Sequence, residues 1–137
     1  MQISKTETVE VHGSSEVVSV RHAVRRSAVE LGFSLVEQTK IVTAASELAR
    51  NMVEYGGGGK LTLEALERDG RRGLRLIFED HGPGIKDIDA AMRDGFTTGG
   101  GMGLGLGGAK RLSNEFEIRS APGEGTRVAI TRWNGTS

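Results

Sequence analysis

Glu47 and Asn51 stand four residues apart in a stretch of helical periodicity, so both side chains leave one face and can converge on one point. A carboxylate and an amide carbonyl are hard oxygen donors suited to magnesium, which takes few protein ligands when phosphates supply the rest. The same carboxylate could remove a proton from an attacking hydroxyl. Alone, a Glu-x-x-x-Asn pair is a weak signal and reads as an ordinary solvated helix face. Asp80 follows a strand-like run and precedes Gly82 and Gly84, so its carboxylate can face a cavity while the adjoining backbone comes close to a flat ligand. An acceptor there suits an exocyclic amine such as that of adenine; an Asx turn at a strand end is the alternative.

The run Gly99-Gly100-Gly101-Met102-Gly103-Leu104-Gly105-Leu106 leaves amide N–H groups unshielded, and a run that opens onto a helix can aim several of them at an anion. Phosphate is the natural guest. The spacing is not that of a P-loop, because no Lys-Ser or Lys-Thr follows the last glycine, and no strand leads into it as the dinucleotide fingerprint requires. A flexible linker would lack the apolar anchors Met102, Leu104 and Leu106. The segment from Gly99 to Gly108 therefore reads as a lid that closes over phosphates. Lys110 is either a cation near those phosphates or a solvated helix lysine. Thr126, just after Gly123-Glu124-Gly125, either offers a hydroxyl near the base or is an ordinary strand threonine. His12, His22 and His81 share no ligand spacing. Tyr55 and Trp133 read as packing residues, since two isolated aromatics make no stacking platform.

These residues need elements to hold them. Val9 and Val11 alternate in a short run that reads as an edge strand. Ser14 or Ser15 then caps a helix with Val17, Val20, Val24, Ala28 and Leu31 at helical spacing, stopped by Gly32. Ser34 and Glu37 form a capping-box pattern that opens a longer helix to about Tyr55, with Ile41, Ala45, Leu48 and Met52 as its core stripe and Gly56 as its end. Leu61, Leu63 and Ala65 alternate along one strand and Leu74, Leu76 and Phe78 along the next, joined through Asp69-Gly70. A short helix is predicted over Asp87 to Arg93 and another over Ala109 to Ser113. Phe116 and Ile118 are expected to pair with Val128 and Ile130 across Pro122-Gly123-Glu124-Gly125. Early helices and later antiparallel strands make the class α+β, with helices on one face of a sheet.

The whole chain, 137 residues, is the size of one domain, and nothing in it reads as a linker. Eighteen basic residues balance eighteen acidic ones, so no global field draws it to nucleic acid or anionic lipid. The absence of cysteine removes disulfides and thiolate chemistry and fits a reducing compartment. No stretch approaches the roughly 20 apolar residues of a membrane span, and the expectation is a cytoplasmic protein.

The order of these features, Glu-x-x-x-Asn, Asp-x-Gly-x-Gly, a glycine lid and Gly-x-Gly-Thr, resembles the GHKL ATPase superfamily with its Bergerat fold. Ser46-Glu47-Leu48-Ala49-Arg50-Asn51, Glu79-Asp80-His81-Gly82-Pro83-Gly84-Ile85, Asp94-Gly95-Phe96-Thr97-Thr98 and Gly103 to Leu112 are most similar to its RsbT-like switch kinases. The resemblance implies a two-layer α/β sandwich with a mixed, mostly antiparallel sheet. It implies ATP and Mg2+ as cofactors, Asn51 as magnesium ligand and Glu47 as base or water-positioning residue. Asp80 would read the adenine amine, Thr126 would support the base, and Gly82, Gly84, Ile85, Thr97, Thr98 and the glycines from Gly99 onward would complete the nucleotide site. The implied activity is protein-serine/threonine phosphorylation of a STAS-domain antagonist in a stress or sigma-factor switch, with a PP2C-type phosphatase or a sigma factor as further partner. A histidine kinase would need a phosphoacceptor histidine on a helical hairpin ahead of Glu47, and there is room there for one short helix only. RsbW-type anti-sigma kinases carry a lid arginine where this chain has Thr97-Thr98-Gly99-Gly100-Gly101, which favours the RsbT-like branch.

Overall fold

A computed structural model of the chain describes residues 1–92 and 105–135. Strand β1 (Gln2–Val11) leads into helix α1 (Ser14–Glu30) and helix α2 (Leu35–Gly56). Strands β2 (Gly59–Arg68) and β3 (Arg71–Asp80) follow, then helices α3 (Ile88–Ala91) and α4 (Gly105–Arg111), and finally β4 (Glu115–Ser120) and β5 (Thr126–Trp133). The strands form one sheet in the order β1-β2-β3-β5-β4, and every pairing in it is antiparallel. The α+β layering expected from the sequence is what the chain adopts.

The alternation of the strands decides which face the helices cover. Leu61, Leu63, Leu74, Leu76, Phe78, Val128 and Ile130 share one face, and all are buried. Onto them α1 lays Val17, Val20, Val24 and Ala28, and α2 lays Ile41, Ala45, Leu48 and Met52, giving one core. Each such Leu, Ile or Val contributes roughly 1.5–3 kcal/mol by leaving water. On the opposite face Trp133 lies across Gly73, where a methyl group would meet the ring at 2.6 Å. Its Nε1–H donates to Glu115 Oε2 at 2.8 Å, and the Arg68 guanidinium stands 4.7 Å from the ring centroid. Trp133 is the packing residue it was expected to be.

The Asp69-Gly70 hairpin forms as predicted, with both residues at positive φ (50° and 80°), the combination that a two-residue primed turn demands. Phe116 pairs with Ile130 and Ile118 with Val128, as the alternation required. Several boundaries differ from expectation. The N-cap of α1 is Gly13 and carries no side-chain cap; Glu16 Oε1 instead accepts the His12 N–H at 2.7 Å. Ser34 does cap α2, accepting from the Glu37 N–H at 3.2 Å, and the helix runs to Gly56 as expected, with Gly57 as its left-handed cap. The last helix starts at Gly105, four residues before Ala109, so the final glycines of the supposed lid are helical. They are buried where α4 packs on α2, and their missing side chains let the two backbones approach.

Candidate functional site

A cavity of about 350 Å³ opens between α2 and the β3 end of the sheet. Helix α2 supplies Leu48, Asn51, Met52, Tyr55 and Gly56; β3 supplies Phe78 and Asp80; β5 supplies Thr126 and Val128. The loop Gly84 to Asp87, Ala90 and Ala91 of α3, and Leu106 of α4 complete the wall. Its size and its mainly apolar lining with a few polar groups suit a small organic ligand.

Register explains why the polar groups meet. Asp80 lies directly opposite Thr126, which lies directly opposite Ser120, so three strands present one polar row on the helix-covered face. The Ser120 Oγ–H donates to the Gly125 carbonyl at 2.9 Å, and the same oxygen accepts from the Ile85 N–H at 2.7 Å. Ser120 has one hydroxyl hydrogen, so at the 2.8 Å contact between the two hydroxyls Thr126 must donate. Thr126 Oγ1 is left facing the cavity as an acceptor. Asp80 is an acceptor too: Oδ1 takes the Gly82 N–H at 2.9 Å, leaving Oδ2 for a ligand. Two acceptors side by side select a ligand that presents N–H groups.

Glycines around Asp80 admit the close backbone approach. A methyl on Gly56 would overlap the Asp80 carboxylate, and one on Gly82 would meet the Gly56 backbone at 2.6 Å. Gly125 combines φ +77° with a position where a methyl would overlap the Asp80 carbonyl oxygen, whereas Gly123, at φ +79°, has nothing within 4 Å. The pair separates the two costs. Gly123→Ala should lose about 1 kcal/mol from left-handed strain alone, and Gly125→Ala about 3 kcal/mol because backbone must also move. Urea unfolding of both variants checks the difference; equal losses would refute the packing argument.

Of the residues singled out in the sequence, Asn51, Asp80, Gly84, Ile85, Leu106 and Thr126 line the cavity. Gly82 backs Asp80 without lining it. Glu47 lies one helical turn before Asn51, is 8% exposed, and borders the cavity's side of α2 without being among the lining residues. Gly105 is the buried first residue of α4. Lys110 is exposed on α4 and is not among the residues that line the described cavity. Thr97, Thr98, Gly99, Gly100, Gly101, Met102, Gly103 and Leu104 lie outside the described residues. Tyr55 corrects its reading as a packing residue, for it is 39% exposed and lines the cavity. Its position four residues after Asn51 was the available signal. Lys86 and Asp87 in the wall were not anticipated.

Among the described residues no group of three or more His, Cys, Asp or Glu side chains could hold a metal ion. The Asn51 amide oxygen, which lines the cavity, fits a hard cation whose other ligands are phosphates and water.

The profile of histidine kinase-, DNA gyrase B- and HSP90-like ATPases matches residues 36–134. The chain is 48% identical over 118 residues to the serine/threonine-protein kinase RsbT of Bacillus subtilis (strain 168), covering 86% of this chain and 89% of that one. It is 32% identical over 122 residues to an anti-sigma F factor of Thermoanaerobacter sp. (strain X514), covering 85% and 84%. Its fold is similar to that of the mycobacterial sensor histidine kinase MprB, with a TM-score of 0.55 at 17% identity over 95% of this chain and 98% of the other.

Proposed function

The chain belongs to the histidine kinase-, DNA gyrase B- and HSP90-like ATPase family, within it to the RsbT-like serine/threonine kinases, and from this we propose a specific reaction. It transfers the γ-phosphoryl group of ATP to a serine hydroxyl on a STAS-domain antagonist protein in a sigma-factor switch. The observation that carries the reading is the convergence of Asn51, Asp80 and Thr126 on one cavity, with Glu47 one turn from Asn51.

In this reading the adenine amine donates to Asp80 Oδ2, and Thr126 Oγ1 accepts from an N–H or a bridging water. Asn51 would hold magnesium, which when bound would neutralise phosphate charge. The serine oxygen forms a bond to Pγ as the bond from Pγ to the β,γ-bridging oxygen breaks. The hydroxyl proton passes to Glu47, and ADP departs with the electron pair. Phosphorylated antagonist then frees the kinase for a PP2C-type phosphatase. No helix among the described residues is long and apolar enough to cross a membrane, and we place the reaction in the cytoplasm, in a single domain spanning residues 1–137.

Incubation with γ-labelled ATP, magnesium and a purified STAS-domain protein should label one serine, located by mass spectrometry. Nucleotide binding with no labelled serine on any STAS-domain protein tried would defeat the proposal. The similarity to anti-sigma F factors carries a second reading, in which the nucleotide only gates capture of a sigma factor. A partner bound equally with and without ATP, and never phosphorylated, would select it.

A further inference from the structure

Glu47 is nearly enclosed, its side chain 11% exposed, yet a carboxylate in such a place needs a partner that holds it in one orientation. One residue does so. The Arg50 Nη1–H donates to Glu47 Oε1 at 3.2 Å, one turn along the same helix. Arg50 engages Oε1, so Oε2 is the oxygen that can take a proton. Arg50 does not line the nucleotide cavity. Arg50 instead lines a second cavity of about 270 Å³ between α1 and α2, together with Val17, Arg21, Val53 and Glu54. The grip on Glu47 thus comes from a residue outside the wall of the nucleotide cavity.

We propose that Arg50 is a positioning residue for the phosphoryl transfer: it pins one oxygen of Glu47 so that the other meets the acceptor hydroxyl. The inference rests on Glu47 being the base. A free glutamate side chain turns about three bonds, and a general base is useful only in the fraction of time it spends within hydrogen-bond reach of the proton. Releasing Glu47 therefore lowers the rate of the chemical step and leaves both binding steps alone, because Arg50 does not line the nucleotide cavity. An arginine that acted instead by docking the partner protein through the second cavity would change the acceptor's KM and not kcat.

The test is steady-state transfer from ATP to a STAS-domain serine that the wild-type chain phosphorylates, with ADP affinity and thermal unfolding measured on the same preparations. Arg50→Ala should lower kcat roughly 10-fold, an ordinary effect of misplacing a reacting group. Both KM values and the ADP Kd should stay within about twofold. Arg50→Lys, which can still reach across one turn, should recover most of the rate. Arg50→Ala combined with Glu47→Gln should be no slower than Glu47→Gln alone, since the arginine would have nothing left to position. A kcat within twofold of wild type in Arg50→Ala, a change confined to the acceptor's KM, or additive slowing in the double variant would each overturn the inference. Wild-type rates in Glu47→Gln would overturn the reading of Glu47 itself, whereas loss in Glu47→Gln with an unimpaired Arg50→Ala defeats only the role given to Arg50. If Arg50→Ala does not fold, Arg50→Gln and Arg50→Lys carry the same comparison.

Discussion

Asp80→Asn should abolish useful nucleotide binding while leaving the fold intact. The substitution changes almost no volume, so Gly56 and Gly82 keep their close approach to the side chain. What changes is the hydrogen-bonding sense. Oδ1 is committed to the Gly82 N–H, so an asparagine must place its carbonyl there and turn its NH2 into the cavity. A donor then faces the exocyclic amine, where the wild type offers an acceptor beside the Thr126 acceptor. Sites built around a ligand's N–H groups discriminate steeply when the partner is wrong, because buried polar groups are left unpaired. ATP affinity should fall roughly 1,000-fold, about 4 kcal/mol. Calorimetric titration of ATP into wild type and variant, with circular dichroism melts alongside, checks this. A loss below tenfold at unchanged stability would mean that Asp80 does not read the base.

How far such a site was legible depended on whether its determinants are local. Glu47, Asn51 and Asp80 could be found because short spacings put them on one helix face or at one strand end, and the hairpin and terminal strand pairs followed from period-two alternation. The hydroxyl relay from Thr126 to Ser120 was hidden, since only the β4–β5 register brings the two together. Helix α4 was misplaced for a physical reason: Gly105, Gly107 and Gly108 have poor intrinsic helix propensity, and it is burial against α2 that makes them helical. Strand β1 runs from Gln2, well before Val9, because its exposed Ser, Lys, Thr and Glu residues are held by pairing with β2, not by an apolar pattern. Two isolated aromatics make no stacking platform in sequence, and the cavity that Tyr55 lines is a tertiary product of α2, the sheet and α3.

The catalytic role of Glu47 gives the second large effect. Glu47→Gln preserves shape, and its side-chain carbonyl can still accept from Arg50, whose side chain is 37% exposed and so loses little when the opposite charge goes. Stability should therefore change by less than about 1 kcal/mol. ATP affinity should stay within about threefold, because Glu47 does not line the cavity. Only proton acceptance is lost. A positioned base contributes roughly 10²–10⁴-fold, and a loose phosphoryl-transfer transition state, in which the nucleophile's bond is little formed, places this case towards the lower end. Transfer to the acceptor serine should fall at least roughly 100-fold in single-turnover measurements with preloaded ATP, which exclude nucleotide exchange from the rate. A fall of less than tenfold would assign the catalysis to phosphate positioning and charge neutralisation alone, and would leave Glu47 as a partner for Arg50 and no more.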